Sequence, residues 1–428
     1  MKDAHQRESY SQRHEVRNVL VVMGYEFSWG LAASIANLAT VMTGFVEWMG
    51  FPLVVVGLVP AVFWTCYSLA QPLALSVLKP GPYFFRKLIL LLAIAPLGYV
   101  VMGAVVYSPE VSNVVKLVTV LGGVIFFTTL IGIADPLYMS ILFETLPIHQ
   151  RGRFFGARTF CFGVGGWVGG FVLGFIFAGT QAPQSFGSAF LLSGFFFILS
   201  ALIFSTYRYQ PPEVEAETVG TSLCTQLRDL CTRVRANRSL VAFLIAEFLF
   251  FFGAMGAFPF FAGHIQRMLK ADSQILVTLT QAFWASICLF GPALGWWSDR
   301  FGHRITVVFS VGIFVFGTVV MLFDGCPSWL YVLGYFMASV WMPAQFVANM
   351  NLAYECAPEL TPAQIMVIRS VILLPTLLIG PLLVGWMLDL GFPVIGMGSC
   401  AIMMLMSGLL LQFGPRTAPQ DSRIVRQS

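Results

Sequence analysis

Apolar residues come in long blocks along this chain, separated by short polar segments. Stretches of about 20 apolar residues, enough for a helix to cross roughly 30 Å of hydrocarbon, can be read twelve times. In the first half they run approximately over 18–43, 52–78, 88–108, 117–143, 154–179 and 187–207. The second half gives 239–263, 275–297, 305–323, 330–354, 365–388 and 394–413. The pattern predicts an all-α integral membrane protein with twelve transmembrane helices.

The blocks repeat. Arg17, Glu26 and Phe27 recur 221 residues later as Arg238, Glu247 and Phe248, and Phe63, Trp64 and Pro72 recur after 220 as Phe283, Trp284 and Pro292. Glu144, Pro147, Arg158, Gly169 and Gly174 recur after 211 as Glu355, Pro358, Arg369, Gly380 and Gly385. Several of these residues are charged or aromatic, so shared oiliness does not explain the match. The chain reads as two copies of one membrane unit. The expected organisation is an N-terminal six-helix bundle over 1–207, a linker over 208–238 and a C-terminal six-helix bundle over 239–428. Two pseudo-symmetric bundles follow from the duplication.

Composition agrees with this class. Of 428 residues, 57% are hydrophobic and 10% charged, and the mean hydropathy is +0.81, whereas soluble domains carry about 25% charged residues. The first seventeen residues lack the apolar core of a signal peptide, so the first helix is expected to stay in place. The basic residues orient the chain. With the N-terminus inside, all but five of the 24 lie in cytoplasmic segments. The exceptions are Lys116, Arg267 and Lys270 in the opposite loops, and Arg158 and Arg369 within helices. Both termini are therefore expected on the cytoplasmic side.

In the linker, Leu223, Leu227, Leu230 and Val234 form one apolar stripe while Arg228, Arg233 and Arg235 point elsewhere. This predicts a short amphipathic helix on the inner membrane surface, tethering the bundles. The eight cysteines show no CxxC pair and read as buried apolar residues. No phosphate-binding GxxxxGK[ST], nucleophile elbow, HExxH or dinucleotide loop is present. An enzyme, a cofactor and a nucleic-acid partner are not expected.

After the eighth stretch comes Gly295-Trp296-Trp297-Ser298-Asp299-Arg300-Phe301-Gly302-His303-Arg304. It resembles the G-x-x-x-D-R-x-G-R-R loop of the major facilitator superfamily, with His303 in a usually basic position. That resemblance implies two bundles enclosing a site near the bilayer midplane, exposed alternately to each side. Asp299, Arg300 and Arg304 would then be gating residues, the aspartate pairing with a basic residue or a helix N-terminus to latch one conformation. In the first half the matching loop departs from the pattern, with Lys79 where an aspartate belongs. Helix five partly matches an antiporter-type glycine pattern through Gly156, Gly165, Gly169 and Gly174, with Gly170 in place of its proline. Close helix packing in lipid also explains such glycines.

Charges inside the membrane are costly, about 2.5–3.5 kcal/mol each on insertion scales, and mark cavities or ion paths. Glu26, Glu247 and Asp135 lie at similar depth. The resemblance points all three into a central cavity lined by helices one, four, seven and ten, with Gln345 and Asn349 opposite; Asn37 follows Glu26 by three helical turns on the same face. Carboxylates desolvated together can hold and release protons, which is the chemistry of proton coupling, and can equally hold a metal ion or an organic cation. Alternatively each acid is satisfied by a neighbour and only orients helices. Arg158 and Arg369 follow Glu144 and Glu355, which predicts a charge network closing the cytoplasmic end.

The expected function is that of a secondary transporter working by alternating access, coupled to protons and carrying a small cationic or metal substrate. As a whole, with no single motif carrying it, the chain also resembles the magnetosome-associated MamH-like branch of the superfamily. That likeness implies iron as the substrate and a bacterial inner membrane or magnetosome membrane as the location. A proton-driven exporter of organic cations is the alternative transporter reading, and a non-transporting scaffold or sensor the alternative of another class.

Overall fold

The computed structural model describes residues 2–77, 83–145, 151–209, 223–271, 274–323, 325–360 and 362–414. No strand occurs among them. Twelve helical segments are long and apolar enough to cross a membrane. Spans 1 to 6 are His14–Trp48, Leu53–Ala74, Phe84–Tyr107, Asn113–Leu142, Phe154–Gly179 and Gln184–Ser205. Spans 7 to 12 are Arg238–Leu269, Gln274–Phe301, His303–Leu322, Ser328–Cys356, Gln364–Asp389 and Pro393–Phe413. The chain is an integral membrane protein. The start of span 1 meets the end of span 6, where Arg17 donates to the Thr206 carbonyl at 3.2 Å and Asn18 bonds the Arg208 backbone. We call the face that carries these chain ends the terminal face and the opposite one the distal face.

Packing repeats as the sequence does. Span 1 packs on spans 5 and 6, span 2 on span 4, and span 3 on spans 4 and 6. Span 7 packs on spans 11 and 12, span 8 on span 10, and span 9 on spans 10 and 12. The halves meet chiefly where span 2 lies along span 11 and span 5 along span 8. Glycines set these approaches, since in lipid no hydrophobic force drives helices together and backbone proximity must supply the contact. A β-carbon at Gly165 would collide with the Phe27 carbonyl of span 1, and one at the next residue, Gly166, with the Trp284 indole of span 8. Span 5 is thus glycine-faced on two sides, whereas Gly156 has open space around it.

Two spans are interrupted. The first helix of span 1 ends at Ile35, and Asn37, with ψ 129°, turns the chain. Its side-chain oxygen accepts from the Ala39 and Thr40 amides at 2.9 and 3.1 Å, restarting the helix over Leu38–Met42 and Thr43–Trp48. Span 10 breaks after Ala338 and resumes as Trp341–Ala344, Gln345–Asn349 and Met350–Cys356. Such breaks are tolerated at membrane depth where protein surrounds the backbone. Ala36, Asn37, Trp341 and Asn349 are all buried.

The Gly295–Arg304 segment is not an extended loop. Span 8 stays helical to Phe301, and only Gly302, at φ +89°, turns the chain before span 9 begins at His303. A single residue in the left-handed region suffices, and glycine alone takes it without strain. The linker contains a helix, Leu223–Ala236, with Leu230 and Val234 buried where it meets spans 2, 7 and 11 and with Arg228, Arg233 and Arg235 exposed. Residues 78–82, including the departing Lys79, lie outside the described residues.

Candidate functional site

In the first half the charges come together through helix packing. Spans 1 and 5 touch backbone to backbone at Gly30 and Gly165, which brings Arg158, low on span 5, under Glu26 of span 1. The Arg158 Nε pairs with Glu26 Oε1, and the Tyr138 hydroxyl donates to the same oxygen at 2.7 Å. The guanidinium also lies 5.3 Å from the Tyr138 ring centre and donates to the Met139 sulfur at 3.6 Å. Glu26 is 3% exposed.

Asp135 completes this group from span 4. Its carboxylate accepts from the Tyr67 hydroxyl of span 2 at 2.5 Å and lies within electrostatic reach of Arg158 and Glu26. The approach is made by Gly132, one turn earlier, where a β-carbon would collide with the Tyr67 carbonyl. Pro136 follows Asp135 inside the helix, removing one backbone bond and loosening the turn that presents it. Asp135 keeps part of its surface open, unlike Glu26. The guanidinium therefore pairs with one carboxylate, Glu26, and a second, Asp135, lies within its electrostatic reach.

The second half repeats part of this. Arg369 Nε donates to both oxygens of Glu247 at 3.0 Å, its Nη2 pairs with Oε1, and its Nη1 reaches the Met350 sulfur. Glu247 and Arg369 are 2% and 5% exposed. Carried by the repeat offsets, Glu26, Arg158 and Met139 correspond to Glu247, Arg369 and Met350. Asp135 corresponds to Phe346, Tyr138 to Asn349 and Tyr67 to Ile287. Asn349 donates to Gln345 within the span 10 break at 3.1 Å.

The arginines thus meet acids other than the ones expected for them. Arg158 and Arg369 reach deeper to Glu26 and Glu247, because a long side chain covers the ~6 Å between helix positions four residues apart in depth. Glu355 instead faces His303, 3.6 Å from Nε2, while the other ring nitrogen meets Ser298. The Glu144 side chain lies outside the described residues. Asp299 and Arg300 are exposed, Arg300 lying 5.6 Å from the Trp296 ring centre, and Arg304 donates to the Gly414 carbonyl at 3.4 Å. Asn37, expected to face a cavity, spends its oxygen on the helix restart. Tyr67 and Tyr138 are not legible as site residues in the sequence; a tyrosine three residues after Asp135 in an apolar helix is the one signal toward the second.

Among the described residues no group of three or more His, Cys, Asp or Glu is placed to hold a metal ion. Residues 243–427 match the Major Facilitator Superfamily. No curated protein matches the chain. Its fold is similar to that of a D-xylose-proton symporter, with 15% identity, TM-score 0.69, and 93% of this chain and 97% of that one covered. It is likewise similar to the xylose transporter XylE from E. coli in a partially occluded inward-open conformation, at 14% identity and TM-score 0.66, over 94% and 99% of the chains. The nucleoside transporter NupG is similar at 13% identity and TM-score 0.62, over 92% and 99%. The family model thus matches the second half of the chain, and the fold is the one these transporter structures have.

Proposed function

We propose that this chain is a secondary transporter of the major facilitator type, working by alternating access and coupled to protons through the Glu26, Arg158, Asp135 and Tyr67 group. The observation that carries the reading is the charge count. Glu26 and Arg158 neutralise each other, which leaves Asp135 as a surplus negative charge in a largely desolvated group. A lone carboxylate there is costly unless it binds a proton or a cation. The Tyr67 hydroxyl holds it in place while its open surface admits exchange. Both termini are cytoplasmic in this reading, set by the basic residues.

For the substrate, the geometry favours a small organic solute over a metal. Glu26 and Glu247, two of the three acids that suggested a metal or organic cation, are already held by arginine, and Asp135 alone is too few oxygen ligands for a hard ion. Iron delivery to a magnetosome-type compartment draws its support from the whole-chain likeness alone. The similar structures are named for xylose and nucleoside transport, so those solutes are the first to try.

The test uses purified protein in liposomes with an internal pH reporter. D-xylose, a nucleoside, an organic cation and ferrous iron are offered in turn under an imposed pH gradient. Organic-solute entry with matching proton movement, lost in Asp135→Asn, is the expected result. Proton-linked ferrous-iron entry would replace the solute reading with the metal one. Folded protein that moves none of the four would favour the scaffold or sensor.

A further inference from the structure

The signature segment predicts an aspartate paired with a basic residue or a helix N-terminus at the terminal face. Asp299 there is exposed, beside His303. The same chemistry is built at the opposite end of the molecule. Asp389, last residue of span 11, accepts from the Leu53 amide at 2.8 Å and from the Val54 amide at 2.9 Å. These are the first free amides of span 2, which belongs to the other half of the chain.

Three points show that this contact is more than an ordinary helix end. Span 2 begins Phe51-Pro52-Leu53 and has no acid in its first turn, so its own sequence supplies no carboxylate cap. Asp389 sits at the C-terminus of its own helix, where the dipole disfavours a negative charge. The gain therefore lies across the interface, not within span 11. Finally, the repeat offset puts Ala178 at the matching place on span 5, so the position related to Asp389 carries no carboxylate.

It is one of several polar contacts closing the distal face. Glu47, at the end of span 1, meets Arg267, at the end of span 7, at 3.0 Å. The Glu47 carboxylate lies against Gly263, where a β-carbon would collide with it. Deeper in, the Thr40 and Thr280 hydroxyls bond at 2.6 Å across the halves. Beside span 2, Gly385 lets span 11 approach the Leu53 carbonyl, with a β-carbon there falling 2.7 Å from it. Parting the halves at this face would leave two span 2 amides without their acceptor.

We propose that Asp389 is a cross-half latch: its carboxylate caps span 2 to hold the distal face shut, and its release is a step in opening that face. The proposal rests on the alternating-access reading. Hydrogen–deuterium exchange on the full-length protein in nanodiscs tests it without knowledge of the substrate. Asp389→Ala should raise exchange about fivefold at the start of span 2, the size of a lost N-cap. Exchange should also rise over 44–49 and 263–270 on the distal face, and fall over 296–304 on the terminal face as that side closes. Asp389→Asn, which keeps one acceptor oxygen, should give an intermediate response. A change confined to 51–57 would reduce Asp389 to a local cap and overturn the latch. If Arg267→Gln moves both faces while Asp389→Ala moves only 51–57, alternation stands and the latch falls.

Discussion

The two halves carry the same three residues at their centres and use them differently. In the second half, Glu247 and Arg369 neutralise each other in a sealed site, with the Met350 sulfur on the guanidinium. In the first half, Glu26, Arg158 and Met139 repeat that unit, but Tyr138, Tyr67 and Asp135 surround it. The Arg158 side chain is 21% exposed against 6% for Arg369, so the first group is the less tightly enclosed of the two. A pair retained through duplication at the same helix crossing is what holding span 1 to span 5, and span 7 to span 11, requires. Chemistry that differs between the copies is where a transport cycle has room to act. The comparison sets a closed ion pair beside the same pair with one further acid next to it.

Breaking the sealed pair should have the largest consequence. Arg369→Leu leaves Glu247 buried without a cation and should cost about 3–5 kcal/mol, read as a large loss of thermal stability in detergent. Adding Glu247→Gln should recover much of it. The same cut in the first half, Arg158→Leu, should cost about 1–3 kcal/mol, since Tyr138 still donates to Glu26 and the site is less tightly enclosed. Equal losses in the two variants would erase the distinction drawn here. Tyr138→Phe removes one hydroxyl bond and should cost about 1 kcal/mol by the same melting assay. Asp135→Asn should change stability least, within about 0.5 kcal/mol, while abolishing proton movement in liposomes. A stable Asp135→Asn protein that still moves protons with its solute would shift the coupling role to another group.

Much of the architecture was legible in the chain. Twelve apolar stretches became twelve spans, and the offsets that aligned Glu26 with Glu247 and Arg158 with Arg369 also align the two ion pairs. The partners were less legible. Glu26 and Arg158 are 132 residues apart, and proximity in sequence favoured Glu144 and Glu355 instead. Asn37 lies on the Glu26 face by helical periodicity, but that periodicity ends at the very turn Asn37 makes. The signature segment held a turn signal at Gly302 and was otherwise helix. Asp389 gave no signal at all, because a carboxylate at a helix end reads as solvated until another helix begins beside it.

By itself the sequence determined the number of spans, the duplication and the presence of acids in the membrane. Span length is a local property, set by how many apolar residues match the hydrocarbon thickness, and a repeat survives as a register of unusual residues. Only the tertiary structure decided which acids are neutralised, which one is left over and where the halves latch. Those outcomes turn on separations of about 3 Å between helices distant in sequence. In lipid such separations are fixed by which glycines let backbones meet, and a hydropathy pattern does not contain that information.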